Sequence, residues 1–252
     1  MKKYHLFFSF AGIILLAGCT SQKGLIKSEA YQNIYREKPT TVLIMPPINR
    51  TETIEAKELF HSTLSMPICN AGYYVIPPFL SMEILKSESA YDAELFLNAP
   101  LVKFNEVFGA DLALFTIIHK WDKTAIIGKI SVEIEYIFKS LKSNEIAYQR
   151  KGNIVVNPLY FSGSTSPLGL IISAAITAVQ AIQNAGTDNS FVGSSCNNLT
   201  LQDLPAGPYS PLYGKDGAHY AGKKDFKFTQ SGSAKEIQTQ TAKRYSKYTK
   251  TQ

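Results

Sequence analysis

The sequence is poor in the residues that do chemistry. Its 252 residues include three cysteines and four histidines. Setting aside His5 near the start leaves His61, His119 and His219, and none belongs to HExxH or another close ligand pair. No GxSxG elbow is present and no serine stands three residues before a lysine, so the common acyl-transfer signatures are missing. A phosphate loop and a GxGxxG turn are missing as well. Charge is absent from Gly152 to Thr187, and aliphatic side chains nearly vanish from Lys223 onward. A polar, basic segment of that kind cannot bury enough surface to fold alone.

What the sequence does have is a strong beginning. Met1-Lys2-Lys3, an apolar run from Leu6 to Leu16, and then Leu16-Ala17-Gly18-Cys19 follow the order of a lipoprotein signal. Cleavage is expected between Gly18 and Cys19, with the Cys19 thiol taking the lipid. The apolar run is about half of the roughly 20 residues that span a bilayer. A triacylated Cys19 would be a durable anchor, because two or more acyl chains hold firmly where one holds reversibly. Thr20, in place of an aspartate, points to the outer membrane.

With 45% hydrophobic and 18% charged residues the chain has a globular composition. Four parts are expected: a signal over 1–18, a membrane tether over 19–39, a single α/β domain over 40–204, and a largely disordered, Gly/Pro/Tyr-rich then basic tail over 205–252. The basic tail invites contact with anionic lipid or cell-wall polymer, or is a solvated end; export disfavours nucleic acid. Cys69 and Cys196 form an even pair in an exported chain, which favours a disulfide over two separate buried thiols.

Periodicity supplies the elements. Thr41 to Met45 is a continuous apolar run stopped by Pro46-Pro47, as a doubly buried strand would be. Ala56, Leu59, Phe60, Thr63 and Leu64 fall at helical spacing, ended by Pro67 and Gly72; Tyr73 to Ile76 is a second strand. Strand, helix, strand predicts a parallel pair with a right-handed crossover. Short helices are expected over Phe79 to Lys86 and Ala99 to Phe108, then a central strand from Leu112 to Ile118. Ile130 to Phe138 alternates with polar residues, and Glu145 to Val156 does so more weakly, which predicts an antiparallel meander. Asn197 to Leu204 reads as a helical turn or two.

The uncharged stretch from Pro167 to Asn184 reads as a helix. Burial on the sheet, an oligomer interface and membrane entry all fit it, and Leu170, Ile171, Ala174, Ala178 and Ile182 are its interface candidates. Chemistry has thinner candidates. His119 lies at a strand end, where α/β proteins place ligands, and Asn49 follows the first strand. Glu133 and Glu135 share a strand face and could form a carboxylate pair. A satisfied polar group at a strand terminus is the stronger reading of His119, the wet face of a strand explains the two glutamates, and no catalytic, cofactor or metal site is assigned.

Three landmarks carry a resemblance: Val42-Leu43-Ile44-Met45-Pro46-Pro47 with Asn49, Gly72-Tyr73-Tyr74-Val75-Ile76, and Phe108-Gly109-Ala110-Asp111 before the central strand. In this order behind a lipobox they resemble an uncharacterised bacterial lipoprotein family that includes a meningococcal candidate antigen. More distantly they resemble the TolB amino-terminal domain, the curli-secretion lipoprotein CsgG and the LpoB activator of peptidoglycan synthases. The resemblance implies an α/β fold with a mixed sheet, parallel in its first half and meandering in its second, flanked by helices. It implies a non-enzymatic accessory factor of secretion, transport or cell-wall machinery. Its partners would be copies of itself, other envelope lipoproteins, or secretion and cell-wall proteins. The alternative is an envelope enzyme or small-ligand binder with a site near Asn49 and His119.

Overall fold

The sheet is assembled around β4 (Leu112–Lys123), whose first seven residues are all buried. They are buried because a strand lies on either side and helices cover both faces there. In this computed structural model residues 24–123, 129–156 and 189–229 are described. The lipobox at Gly18 and Cys19 and the interface candidates Leu170, Ile171, Ala174, Ala178 and Ile182 lie outside them.

On one side of β4, β1 (Thr41–Ile44) runs parallel to it, and β2 (Ile48–Asn49) continues along the same edge. Ile44 faces Leu114 and Ile48 faces Ile117, so four steps on β1–β2 match three on β4. Pro46 and Pro47 fall in that slip, since neither has an N–H to give the ladder. Next to β1 lies β3 (Tyr74–Val75), also parallel. On the other side come β5 (Ile130–Ser140) and β6 (Ile146–Val156), antiparallel in turn, and then β7 (Asp225–Thr229), parallel to β6. The order β3-β1-β4-β5-β6-β7, with β2 beside β4, is the mixed α/β sheet expected, with two strands more than the sequence predicts, β2 and the edge strand β7.

Two cores flank the sheet. On one face α1 (Lys27–Ala30) leads into α2 (Gln32–Glu37), and α3 (Ala56–Thr63), α4 (Ser65–Asn70) and α7 (Ser190–Leu201) pack beside it. Ile34, Phe60, Ile68, Phe191 and Val192 meet Val42, Leu114, Ile134, Tyr136 and Tyr148. On the other, α5 (Pro78–Ser87), a 3-10 turn at Ala93–Phe96 and α6 (Val102–Phe108) place Leu85, Leu101 and Phe104 against Leu43, Met45, Ala113 and Phe115. Each of the buried Val, Leu, Ile, Phe and Met side chains contributes about 1.5–3 kcal/mol over leaving it exposed. Gly193 lets α7 lie close to α3: a Cβ there would stand 2.4 Å from the Leu59 carbonyl oxygen.

Several expectations are corrected. The bridge between Cys69 and Cys196 is not formed; both are free thiols, Cys69 exposed on α4 and Cys196 buried in α7. Pro67 does not end the helical region but sits in the first turn of α4, where no backbone N–H is required. Residues 25–37, expected in the tether, belong to the domain: Ile26 bridges Tyr220, and Tyr31 and Ile34 are buried at α1 and α2. Segment 205–229 is not loose: Asp216 is buried and β7 joins the sheet.

Candidate functional site

The wet half of the sheet holds the chemical candidates. Helices cover the second face over β1 and the start of β4, and further across Glu133 and Glu135 on β5 and Gln149, Lys151 and Asn153 on β6 share one side by alternation. The β4–β5 ladder slips between Ile118 and Lys120, which leaves His119 as the extra residue of a bulge. Bulges re-aim side chains, and here His119 Nε2 lies 3.0 Å from Glu135 Oε2. Gln149 Nε2 donates to the other Glu135 oxygen at 2.5 Å.

The electrostatics follow from these contacts. Burial opposes ionisation of Glu135, but the hydrogen bonds from Gln149 and His119 outweigh it and hold its pKa below the usual carboxylate value. Glu133 pairs with the Lys151 ammonium, whose hydrogen bond lowers its pKa as well. The two glutamates therefore have separate partners, and they do not share a proton as a catalytic carboxylate pair would. His119 and Asn49 are close in register, since Asn49 pairs with Ile118. The Asn49 side chain is engaged in its own loop: Nδ2 donates to the Thr53 carbonyl at 2.8 Å, and Oδ1 accepts from the Thr51 N–H at 3.0 Å and the Thr51 hydroxyl at 2.8 Å. The arrangement is a turn fastened by an asparagine beside a bulge fastened by a hydrogen bond between His119 and Glu135. Among the described residues no cluster of His, Cys, Asp and Glu is placed to hold a metal.

The residues the sequence did not single out form a polar joint on the first face. Asp203 accepts from the Tyr31 hydroxyl and, at 2.7 Å, from the Gly222 N–H. Asp216 accepts from the Tyr35 hydroxyl at 3.0 Å and the Ala206 N–H at 2.9 Å, and lies 3.5 Å from the Lys27 ammonium. The Arg150 guanidinium donates to the carbonyls of Leu199, Thr200 and Lys223 and covers the Phe226 ring at 4.3 Å. Burial, together with Asp203, pushes the Tyr31 hydroxyl well above its ordinary pKa. This joint fastens segment 203–224 to the amino-terminal helices and to β6.

The landmarks behind the resemblance prove to be joints too. Gly109 takes φ 63° to end α6, and two residues later the Asp111 carboxylate accepts from the N–H groups of Thr40 and Thr41. Gly72 takes φ 93° against Ser210, and the Tyr73 hydroxyl donates to the Pro205 carbonyl at 2.9 Å. The family described as "Putative lipoprotein GNA1162-like" matches residues 29–208, a span containing the three landmarks from Val42, Gly72 and Phe108. The chain belongs to this GNA1162-like family. A Neisseria meningitidis serogroup B protein, "Putative lipoprotein NMB1124/NMB1162", is 22% identical over 186 residues, covering 74% of this chain and 84% of that protein. The crystal structure of lipoprotein GNA1162 from Neisseria meningitidis overlaps 58% of this chain and all of its own, at 21% identity and a TM-score of 0.44. The LpoB C-terminal domain from Salmonella enterica overlaps 52% of this chain and 97% of its own, at 12% identity and a TM-score of 0.31. Those overlaps are too shallow to carry function to this GNA1162-like chain.

Proposed function

We propose that the protein is an outer-membrane lipoprotein, anchored through Cys19, that serves envelope secretion, transport or cell-wall machinery as a non-enzymatic accessory factor. The lipobox and the naming of its family as lipoproteins support the anchor. The observation that carries the docking role is apolar: Phe79, 82% exposed, and Leu80 open α5 in solvent directly after β3. The outer edge of β3 has no strand beside it among the described residues. Bare strand edges and clustered exposed apolar side chains are features of surfaces that receive a partner. The uncharged stretch with Leu170, Ile171, Ala174, Ala178 and Ile182 is a second contact surface in this reading, suited to self-association into a dimer or larger assembly. A photo-reactive residue at Phe79 in intact cells should give discrete protein adducts. A protein that stays monomeric after delipidation and gives no adduct from Phe79 or Leu170 would sink the proposal.

A further inference from the structure

Six residue steps separate Cys19 from Leu25, since 25 − 19 = 6, and the Leu25 carbonyl already accepts the Ala221 N–H at 2.8 Å. Even extended, six steps span no more than about 20 Å. The part of the domain around Leu25 is therefore confined near whatever holds Cys19.

That part is segment 207–222, and it is pinned along its length. The Gly207 N–H donates to the Ala71 carbonyl at 2.8 Å, and Asp216 is buried against Lys27 and Tyr35. The Lys27 and Ser28 N–H groups donate to the carbonyls of His219 and Gly217 at 2.8 and 3.0 Å. Between these pins the segment leaves Tyr209 at 70%, Leu212 at 53% and Tyr220 at 58% exposure, with Tyr213 exposed too and Leu25 at 61% beside Tyr220. Lys215, Lys223 and Lys224 are exposed among them. Asp216 lies inside against Lys27 and does not offset their charge; of the described residues that follow them, Asp225 alone is an exposed acid. Tyrosines with an apolar body and a polar tip, a leucine, and lysines with apolar stems are the side chains that settle at the headgroup level of a bilayer. Each lysine near an anionic surface adds an attraction screened within a Debye length.

We infer that segment 207–222, together with Leu25, seats on the bilayer that carries the Cys19 anchor. Its tyrosines and Leu212 enter the headgroup region, and Lys215, Lys223 and Lys224 meet anionic headgroups. The inference rests on the lipid anchor proposed above. It also sets an orientation. Glu37 at the end of α2 accepts from the Ser140 hydroxyl, and Ser140 pairs with Leu112 at the start of β4, whereas Asn49 pairs with Ile118. Ile54, just beyond Asn49, thus belongs to an end of the sheet about 20 Å further along β4, facing away from the lipid.

Full-length lipidated protein in vesicles of phosphatidylethanolamine and phosphatidylglycerol, part of the lipid brominated high on its acyl chains, tests this. Trp121, buried in the core, is common to all variants and is subtracted using the parent protein. The added fluorescence of Tyr213→Trp should be lost to the bromine, and that of Ile54→Trp should be kept. Tyr220→Trp gives an independent reading if the first variant misfolds. Vesicle-bound protein with unquenched Trp at both loop positions overturns the seat and leaves the anchor standing. Equal quenching at Ile54→Trp overturns the orientation that defines the seat. Protein that floats free of the vesicles overturns the anchor and the seat with it.

Discussion

The carboxylate of Asp111 holds the start of β1: its Oδ2 accepts from the Thr40 N–H at 2.9 Å and the Thr41 N–H at 3.1 Å, while Oδ1 takes the Lys142 ammonium at 2.8 Å. Burial works against its charge, but Lys142 and the two amides prevail and its pKa lies below the usual carboxylate value. A depressed folded pKa means the stabilisation is complete above the unfolded value near 4 and is lost as pH falls through the lower folded value. Asp111→Ala should cost about 1–3 kcal/mol at pH 7 by leaving amides unpaired. In Asp111→Asn the drop in urea midpoint between pH 7 and pH 3 should shrink; an undiminished drop contradicts the assignment.

Gly193→Ala should force α7 away from α3, because the new methyl would meet the Leu59 carbonyl at 2.4 Å. Overpacking of this kind costs about 1–3 kcal/mol, read as a lower Tm. Gly24→Ala has no atom within 4 Å and is the matched control expected to leave Tm unchanged.

Asp216→Ala should loosen the amino-terminal helices from segment 203–222 while the sheet remains. Hydrogen exchange is the direct measurement: protection at the Lys27 and Ser28 amides, which bond His219 and Gly217, should fall, and protection in β5 should hold. Unaltered exchange at Lys27 and Ser28 would show that the joint does not depend on Asp216.

His119→Ala should cost about 0.5–1.5 kcal/mol, the usual net worth of one hydrogen bond, here the one to Glu135, with envelope phenotypes at parental level. A lost phenotype in a folded His119→Ala protein would reinstate the strand-end site.

Without denaturant, a thiol reagent should modify Cys69 and spare Cys196. Cys196 is fully buried, and burial pushes its thiol pKa far up, so little thiolate exists to react. Recovery of a Cys69–Cys196 disulfide peptide from the exported protein would contradict the arrangement of free thiols.

The sheet was largely legible in the sequence because its signals are local. Ile130 to Phe138 alternates residue by residue, and Leu112 to Ile118 is apolar but for Thr116, so neither needed knowledge of a distant partner. The limits of the domain were not legible. They depend on Ile26 meeting Tyr220 and on Asp203 and Asp216 meeting tyrosines over 170 residues away, contacts with no periodic trace. Most of α7 was missed for a related reason: Ser190-Phe191-Val192-Gly193-Ser194-Ser195 has no charge and little helix propensity, and packing on α3 decides it. Of the candidate site, His119 and Glu135 were each visible, but the bulge that brings them together was not, since a bulge is a property of two paired strands.

The bonds from Lys27 to His219 and from Ser28 to Gly217 join positions about 190 residues apart in the chain. Closing a loop of that length costs on the order of 4–5 kcal/mol of chain entropy, so this seam forms only when the rest of the domain has already brought its ends together. A chain emerging amino terminus first has nothing to pair with residues 25–28 until residue 217 has followed. Any truncation before that point leaves the Lys27 and Ser28 N–H groups without the carbonyls they bond. The seam at Lys27 therefore closes only once residues 217–219 are present.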